Sequence, residues 1–218
     1  MPFKLIPPKT KVRILSGPIK NSKIIYGSGL ISQWLGIYEK EIIKKIIKEL
    51  KPNKIYYDIG AHVGYYTILF SKFAKLVYSF EPEPTNFYFL KENLKLNRIK
   101  NVKILNIAIY SENREFNFDI KDDRTEGKIK DNGILKVCAF TIDYLCLMKN
   151  LYFPDLMKID VEGAELEVLK GAIKILNLKK PKILISFHSE DLKKDTILFL
   201  SNIGYNVKKI KEDIFLFK

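Results

Sequence analysis

The stretch YYDIGAHVGYYT, residues 56–67, sets an aspartate, Asp58, and two glycines, Gly60 and Gly64, at the end of an apolar run. A glycine-rich turn between a strand and a helix lets a ligand approach bare backbone, and the helix start adds amide donors. The turn lacks the third glycine of the G-x-G-x-x-G spacing that suits a dinucleotide pyrophosphate, so NAD is not the expected ligand. Glu81, in SFEPEP, lies 21 residues beyond Gly60. An acid at that distance, after the next strand, accepts both hydroxyls of a ribose. Asn106 and Ala108 end a further apolar run, and KIDVEGAE crowds Lys158, Asp160, Glu162 and Glu165 into eight residues. Asp160 and Glu162 at one strand end repel each other unless a ligand, a cation or a proton compensates. Each feature also has a plainer explanation: tight packing for the glycines, a surface acid for Glu81, a helix-face pair for Glu165 with Lys170. Their joint placement favours a site.

Ligands in open α/β sheets bind outside the carboxyl ends of the strands. The runs KIYYDI (54–59), KLVYSF (75–80), VKILNIAI (102–109), DLMKIDV (155–161) and KILISF (182–187) are apolar at consecutive positions, as strands covered on both faces are. Between them GYYTILFSKFA, NFYFLKENLKLN and GAELEVLKGAIKILN carry apolar residues at helical spacing. The alternation predicts βαβ units and a mainly parallel sheet. Residues 110–145 break the rhythm: REFNFDI and ILKVCAF predict two strands around the polar loop KDDRTEGKIKDNG, and TIDYLCLM a short helix opened by Thr141. This segment is expected as an insertion reaching toward the ligand edge. YNVKKI and DIFLFK are too close for a parallel crossover and predict an antiparallel pair. Residues 1–50 are expected as a basic extension, a hairpin over 11–27 and a helix YEKEIIKKIIKEL ended by Pro52, packed on a ligand-binding domain of residues 51–218.

The 218 residues fit one domain, and a 47% apolar share with 12% aromatics excludes disorder. No apolar run approaches the roughly 20 residues that span a bilayer. The amino end, MPFKLIPPKTKVRILSG, has lysines and prolines where a signal peptide is apolar, which predicts a cytoplasmic protein. Cys138 and Cys146 match neither a zinc nor a disulfide pattern and are expected as reduced, small apolar residues. The net charge of +13 is uneven: residues 1–54 hold 12 Lys/Arg and 3 acids, while residues 55–167 hold 15 and 17. A basic amino-terminal face is either a solvated surface or a site for an anionic partner, RNA or an acidic membrane surface.

YYDIGAHVGYYT, VYSFEPEPTNFYFLKENLKLN, ILNIAIYSEN, TIDYL and MKIDVEGAELEVLKGA, in this order and spacing, resemble the FkbM family of S-adenosylmethionine-dependent methyltransferases. The resemblance runs from about Gly36 to His188, and KIDVEGAE is its most specific part. It implies a Rossmann-like class I methyltransferase fold, a mostly parallel seven-stranded sheet with an antiparallel last strand and helices on both faces. It also explains the missing glycine, because an adenosyl sulfonium carries no phosphate. Carried over by position, Asp58, Gly60, Ala61 and Gly64 line the methionine and ribose part of the cofactor. Glu81, with Pro82 beside it, takes the ribose diol, and Asn106 and Ala108 sit near the adenine. Tyr38 and Glu39 match an aromatic–acid pair that closes over the cofactor, and Asp160 and Glu162 face the transferred methyl. The family usually has a glutamate two residues before His188, where this chain has Ser186.

The resemblance implies O-methylation of a hydroxyl on a sugar, glycolipid or small metabolite. Such a reaction needs the acceptor aligned with the methyl and a base for its proton, with Asp160 or His188 as the candidates. No metal is assigned, although the acid pair has ligands for a divalent cation. Ribose 2′-O-methylation of RNA is the rival enzyme, since the tetrapeptide of exocyclic-amine methyltransferases and the Pro-Cys of cytosine C5 enzymes are both missing. A non-enzymatic nucleotide-binding module would be expected to have lost Gly60, Gly64 or Glu81.

Overall fold

Residues 7, 9–120, 127–129, 133, 135–211 and 213–218 are described from a computed structural model. From the amino end, β1 (Lys11–Arg13) and β2 (Lys23–Ile25) form an antiparallel hairpin, followed by α1 (Ile31–Leu35) and α2 (Lys40–Ile47). The first parallel units are β3 (Ile55–Ile59), α3 (Tyr65–Ser71), β4 (Leu76–Phe80), α4 (Pro84–Leu96) and β5 (Val102–Leu105). Next come β6 (Ala108–Ile109), β7 (Arg114–Ile120), β8 (Gly127–Ile129), β9 (Leu135–Phe140) and α5 (Ile142–Leu147). The chain closes with β10 (Leu156–Ile159), α6 (Glu165–Lys170), α7 (Ile173–Lys179), β11 (Lys182–Ser186), α8 (Glu190–Asn202), β12 (Val207–Lys211) and β13 (Ile214–Phe217).

The main sheet has seven strands in the order β12-β13-β11-β10-β3-β4-β5, and only β13 runs against its neighbours. Side chains alternate between its faces, so Tyr56, Val77, Leu156 and Leu184 join one apolar cluster while Tyr57, Tyr78, Met157 and Ile183 join the other. Helices α2, α3 and α4 cover the first cluster, and α5 to α8 cover the second. Both faces are buried, which is why the strands read as unbroken apolar runs. This is the expected class I methyltransferase architecture, with the antiparallel strand one place in from the edge.

Several local readings need correction. VKILNIAI is two strands, because Asn106 turns its side chain onto the carbonyls of Glu81 and Pro82 at 2.8 and 3.0 Å, and β6 leaves for a second sheet of order β6-β9-β7-β8. GAELEVLKGAIKILN is two helices broken near Gly171, where an added Cβ would lie 2.1 Å from the Tyr110 carbonyl oxygen. The short helix α1 and the capped helix α8, whose Ser189 accepts from the Leu192 amide, were not anticipated. Within KDDRTEGKIKDNG, residues 127–129 pair with β7; residues 121–126 and 130–132 lie outside the described residues. Cys146 is buried, as expected of an apolar thiol, but Cys138 is exposed.

The hairpin packs against α4: the Ile25 and Lys23 amides donate to the side chains of Asn93 and Asn97 at 2.9 and 2.7 Å. Ile14, Ile19 and Ile24 sit in the same cluster as α2 to α4. No helix among the described residues is long and apolar enough to cross a membrane.

Candidate functional site

A cavity of about 430 Å³ opens at the carboxyl edge of the main sheet. Its floor is the turn after β3. Gly60 has φ +76°, and an added Cβ would lie 1.9 Å from the Asp160 carbonyl oxygen, so the loops after β3 and β10 approach this closely only around a glycine. The amides of Gly60 and Ala61 both donate to the Phe80 carbonyl at 3.0 Å, which ties the turn to the end of β4.

Glu81 follows β4 and is 5% exposed. Its carboxylate accepts from the His62 amide at 2.7 Å and from the Glu83 amide at 3.0 Å. Burial outweighs these bonds and pushes its pKa up to about 7. Glu83, also buried, caps α4 through the amides of Thr85 and Asn86 at 2.8 and 2.5 Å. A short chain of carboxylates and amides therefore fixes this wall of the cavity.

The opposite wall is charged. Lys158, 4% exposed, sets its ammonium 3.1 Å from Asp160 Oδ2, 3.6 Å from Asp58 Oδ1 and 3.3 Å from the Gly60 carbonyl. Burial disfavours its charge, but the two carboxylates overcome that and hold its pKa above the ordinary lysine value. His188, just past β11, meets three acids: Nδ1 is 2.9 Å from Glu165, and Nε2 is 3.3 Å from Glu162 and 3.5 Å from Asp160. Burial pulls its pKa down, yet the Glu165 bond and the two neighbouring carboxylates push it up to about 9. Glu165 is fully buried and serves His188, while Lys170 pairs with Glu167 at 2.6 Å, so Glu165 and Lys170 are not a helix-face pair.

Of the residues singled out in the sequence, Tyr38, Glu39, Gly60, Ala61, Glu81, Pro82, Ala108, Asp160, Glu162 and His188 all line this one cavity. Asp58, Gly64 and Asn106 lie behind that lining. Asp58 is fully buried behind Lys158 and accepts from Thr67 Oγ1 at 2.6 Å. Gly64 starts α3 at φ +94°, where an added Cβ would meet Leu90 at 2.6 Å. Asn106 braces the backbone of Glu81 and Pro82 from below. Glu39 accepts from the Tyr66 hydroxyl, Tyr38 packs edge-on to Tyr65, and burial raises the pKa of Glu39.

Sequence reasoning gave no role to Lys158, although a lysine inside LMKID, between two buried apolar residues, needs a partner in the interior. It also passed over Phe118 of β7 and Ile107, which add apolar surface to the cavity. Phe118 comes from the 110–145 segment and shows that this segment reaches the site.

A parallel sheet with β13 reversed, and a glycine turn and acid at its carboxyl edge, define a class I methyltransferase. The profile of the methyltransferase FkbM domain matches residues 58–207, and the chain belongs to that family. It is 27% identical over 183 residues to the hexuronic acid methyltransferase AglP of Haloferax volcanii, covering 80% of this chain and 74% of that protein. A shorter match, 32% identical over 80 residues, covers 37% of this chain and 22% of the tRNA (guanine(37)-N(1))-methyltransferase Trm5b of Pyrococcus abyssi. The crystal structure of methyltransferase FkbM from Methylobacillus flagellatus KT superposes with a TM-score of 0.58 at 16% identity, covering 87% of this chain and 56% of that one. The chain thus spans little more than half of that solved chain.

Proposed function

We propose that the protein transfers a methyl group from S-adenosylmethionine to a hydroxyl of a sugar or a related small metabolite. The observation that carries this reading is the pairing, in one cavity, of the buried Glu81 carboxylate with Asp160. β4 and β10 flank β3, so these two residues stand about 10 Å apart across the sheet, at two strand spacings. That span suits a nucleoside whose ribose lies at one end and whose reactive carbon lies at the other. Gly60 lets the loop after β10 close onto the turn that would face the adenosyl group, and a ribose diol donating to Glu81 would favour its ionised form. Tyr38, Glu39, Ala61, Pro82 and Ala108 complete the cofactor wall, with Asp58, Gly64 and Asn106 supporting it.

The acceptor oxygen attacks in line with the methyl–sulfur bond. The new O–C bond forms as the C–S bond breaks, its electron pair stays on sulfur, and the hydroxyl proton passes to Asp160. Lys158 orients Asp160, and His188 with Glu162 orders the acceptor side. The likeness to a hexuronic acid methyltransferase supports a sugar acceptor. An RNA ribose hydroxyl is the second reading, favoured by the 12 Lys/Arg of residues 1–54. The test is incubation with methyl-labelled S-adenosylmethionine and a panel of hexuronic acid glycosides, neutral glycosides and short RNAs. Label in an O-methyl glycoside supports the first reading and label in RNA the second. Binding of the cofactor with no transfer to any hydroxyl would contradict both.

A further inference from the structure

We infer that Asp160, Glu162 and His188 form a binding site for one divalent cation of the Mn²⁺ type. One oxygen from each acid and one ring nitrogen of His188 all lie within 4.8 Å of one another. With metal–ligand bonds of about 2.1 Å, adjacent ligands around an octahedral ion stand about 3 Å apart and opposite ones about 4 Å. The 3.3 and 3.5 Å separations from His188 Nε2 to Glu162 and Asp160 match neighbouring positions on one face of such an ion. Two carboxylates with one imidazole suit an ion that accepts both hard oxygen and nitrogen donors.

An acidic cluster alone would not carry this; the holder of the histidine does. Glu165 is fully buried, takes the Gly163 amide at 3.1 Å and binds His188 Nδ1 at 2.9 Å, so Nε2 is the nitrogen turned to the acids. A ligating histidine is typically held by a carboxylate on its other nitrogen in this way. The remaining oxygen of Glu165, Oε2, is buried and has no hydrogen-bond partner among the described residues.

Charge supports the same conclusion. Asp58, Asp160, Glu162 and Glu165 face Lys158 and His188, four acids against two basic groups. The three ligand side chains are 22–32% exposed, so the site is open to the cavity and its remaining positions would face an acceptor oxygen. The use of such an ion, acidifying an acceptor hydroxyl, rests on the methyl-transfer reading; the binding does not.

The test is titration of metal-stripped full-length protein with Mn²⁺, followed by electron paramagnetic resonance. One ion per chain is expected, with nitrogen coupling in the pulsed spectrum. His188→Ala should remove that coupling and weaken binding more than tenfold, and the near-isosteric Glu162→Gln should weaken it comparably while preserving the thermal melt. Glu165→Gln should cost about 10- to 100-fold in affinity, as removal of a ligand's supporting carboxylate does. Asp191→Asn, at an exposed acid outside the cavity lining, should change nothing. The absence of stoichiometric Mn²⁺ binding, or binding unchanged by both Glu162→Gln and His188→Ala, overturns the site. S-adenosylmethionine titration of the same stripped protein, with no ion present, reports separately on the methyl-transfer reading.

Discussion

The β3–β4 flank of the cavity is shaped by backbone geometry and one buried carboxylate, whereas the β10–β11 flank is made of charged side chains that hold one another. On the first flank a glycine fixes how close two loops come, and Glu81 is set by amides of its own loop. On the second, Lys158 bridges Asp58 and Asp160, and His188 bridges Asp160, Glu162 and Glu165, from three separate strand ends. Binding a fixed cofactor calls for a rigid, nearly neutral surface. A base that takes a proton beside a methyl donor would need charge, and charge buried at a strand end has to be compensated.

That contrast can be broken by substitutions that should separate turnover from cofactor binding. The largest effect is expected from Asp160→Asn, which should lower turnover by about 10²- to 10⁴-fold while S-adenosylmethionine affinity changes little. An active variant would remove Asp160 from the chemistry. Lys158→Met comes next, because it strands Asp58 in the interior; a loss of about 3–5 kcal/mol in denaturant unfolding is expected. Wild-type stability in that variant would mean that the acids do not need their lysine.

A smaller, pH-dependent effect sharpens the comparison. The pKa of His188 is raised from an ordinary 6.5 to about 9, so the protonated ring stabilises the fold. By linkage this contribution is complete below about pH 6.5 and is lost as pH rises through about 9. Melting temperatures from pH 6 to 10 should fall more steeply for the native protein than for His188→Gln. Parallel curves would show that the three acids do not hold a charged ring.

The same contrast explains what could be read from the sequence. The five parallel strands were legible because both faces of the sheet are buried, and the glycine turn and Glu81 were legible because a strand, a turn and an acid follow one another at fixed spacing. Partnerships across the β10–β11 flank were not, since Glu165 looks like any helix-face acid until the fold brings His188 to it from 23 residues away. Lys158 was named without a role for the same reason: its partners are Asp58, one strand away, and Asp160, across the turn. The break at Asn106 depends on a side chain reaching back to the β4 loop, and hydrophobic periodicity carries no trace of it.

The geometry predicts an adenosyl cofactor across the cavity with its ribose on Glu81. Calorimetric titration of the protein and of Glu81→Ala with S-adenosylmethionine, with NAD in parallel, tests it most directly. One molecule of S-adenosylmethionine per chain should bind, NAD should not, and Glu81→Ala should weaken binding more than about tenfold, or 1.4 kcal/mol, with the melt unchanged. Affinity that is absent, or equal in the variant and the native protein, would rule out a ribose on Glu81.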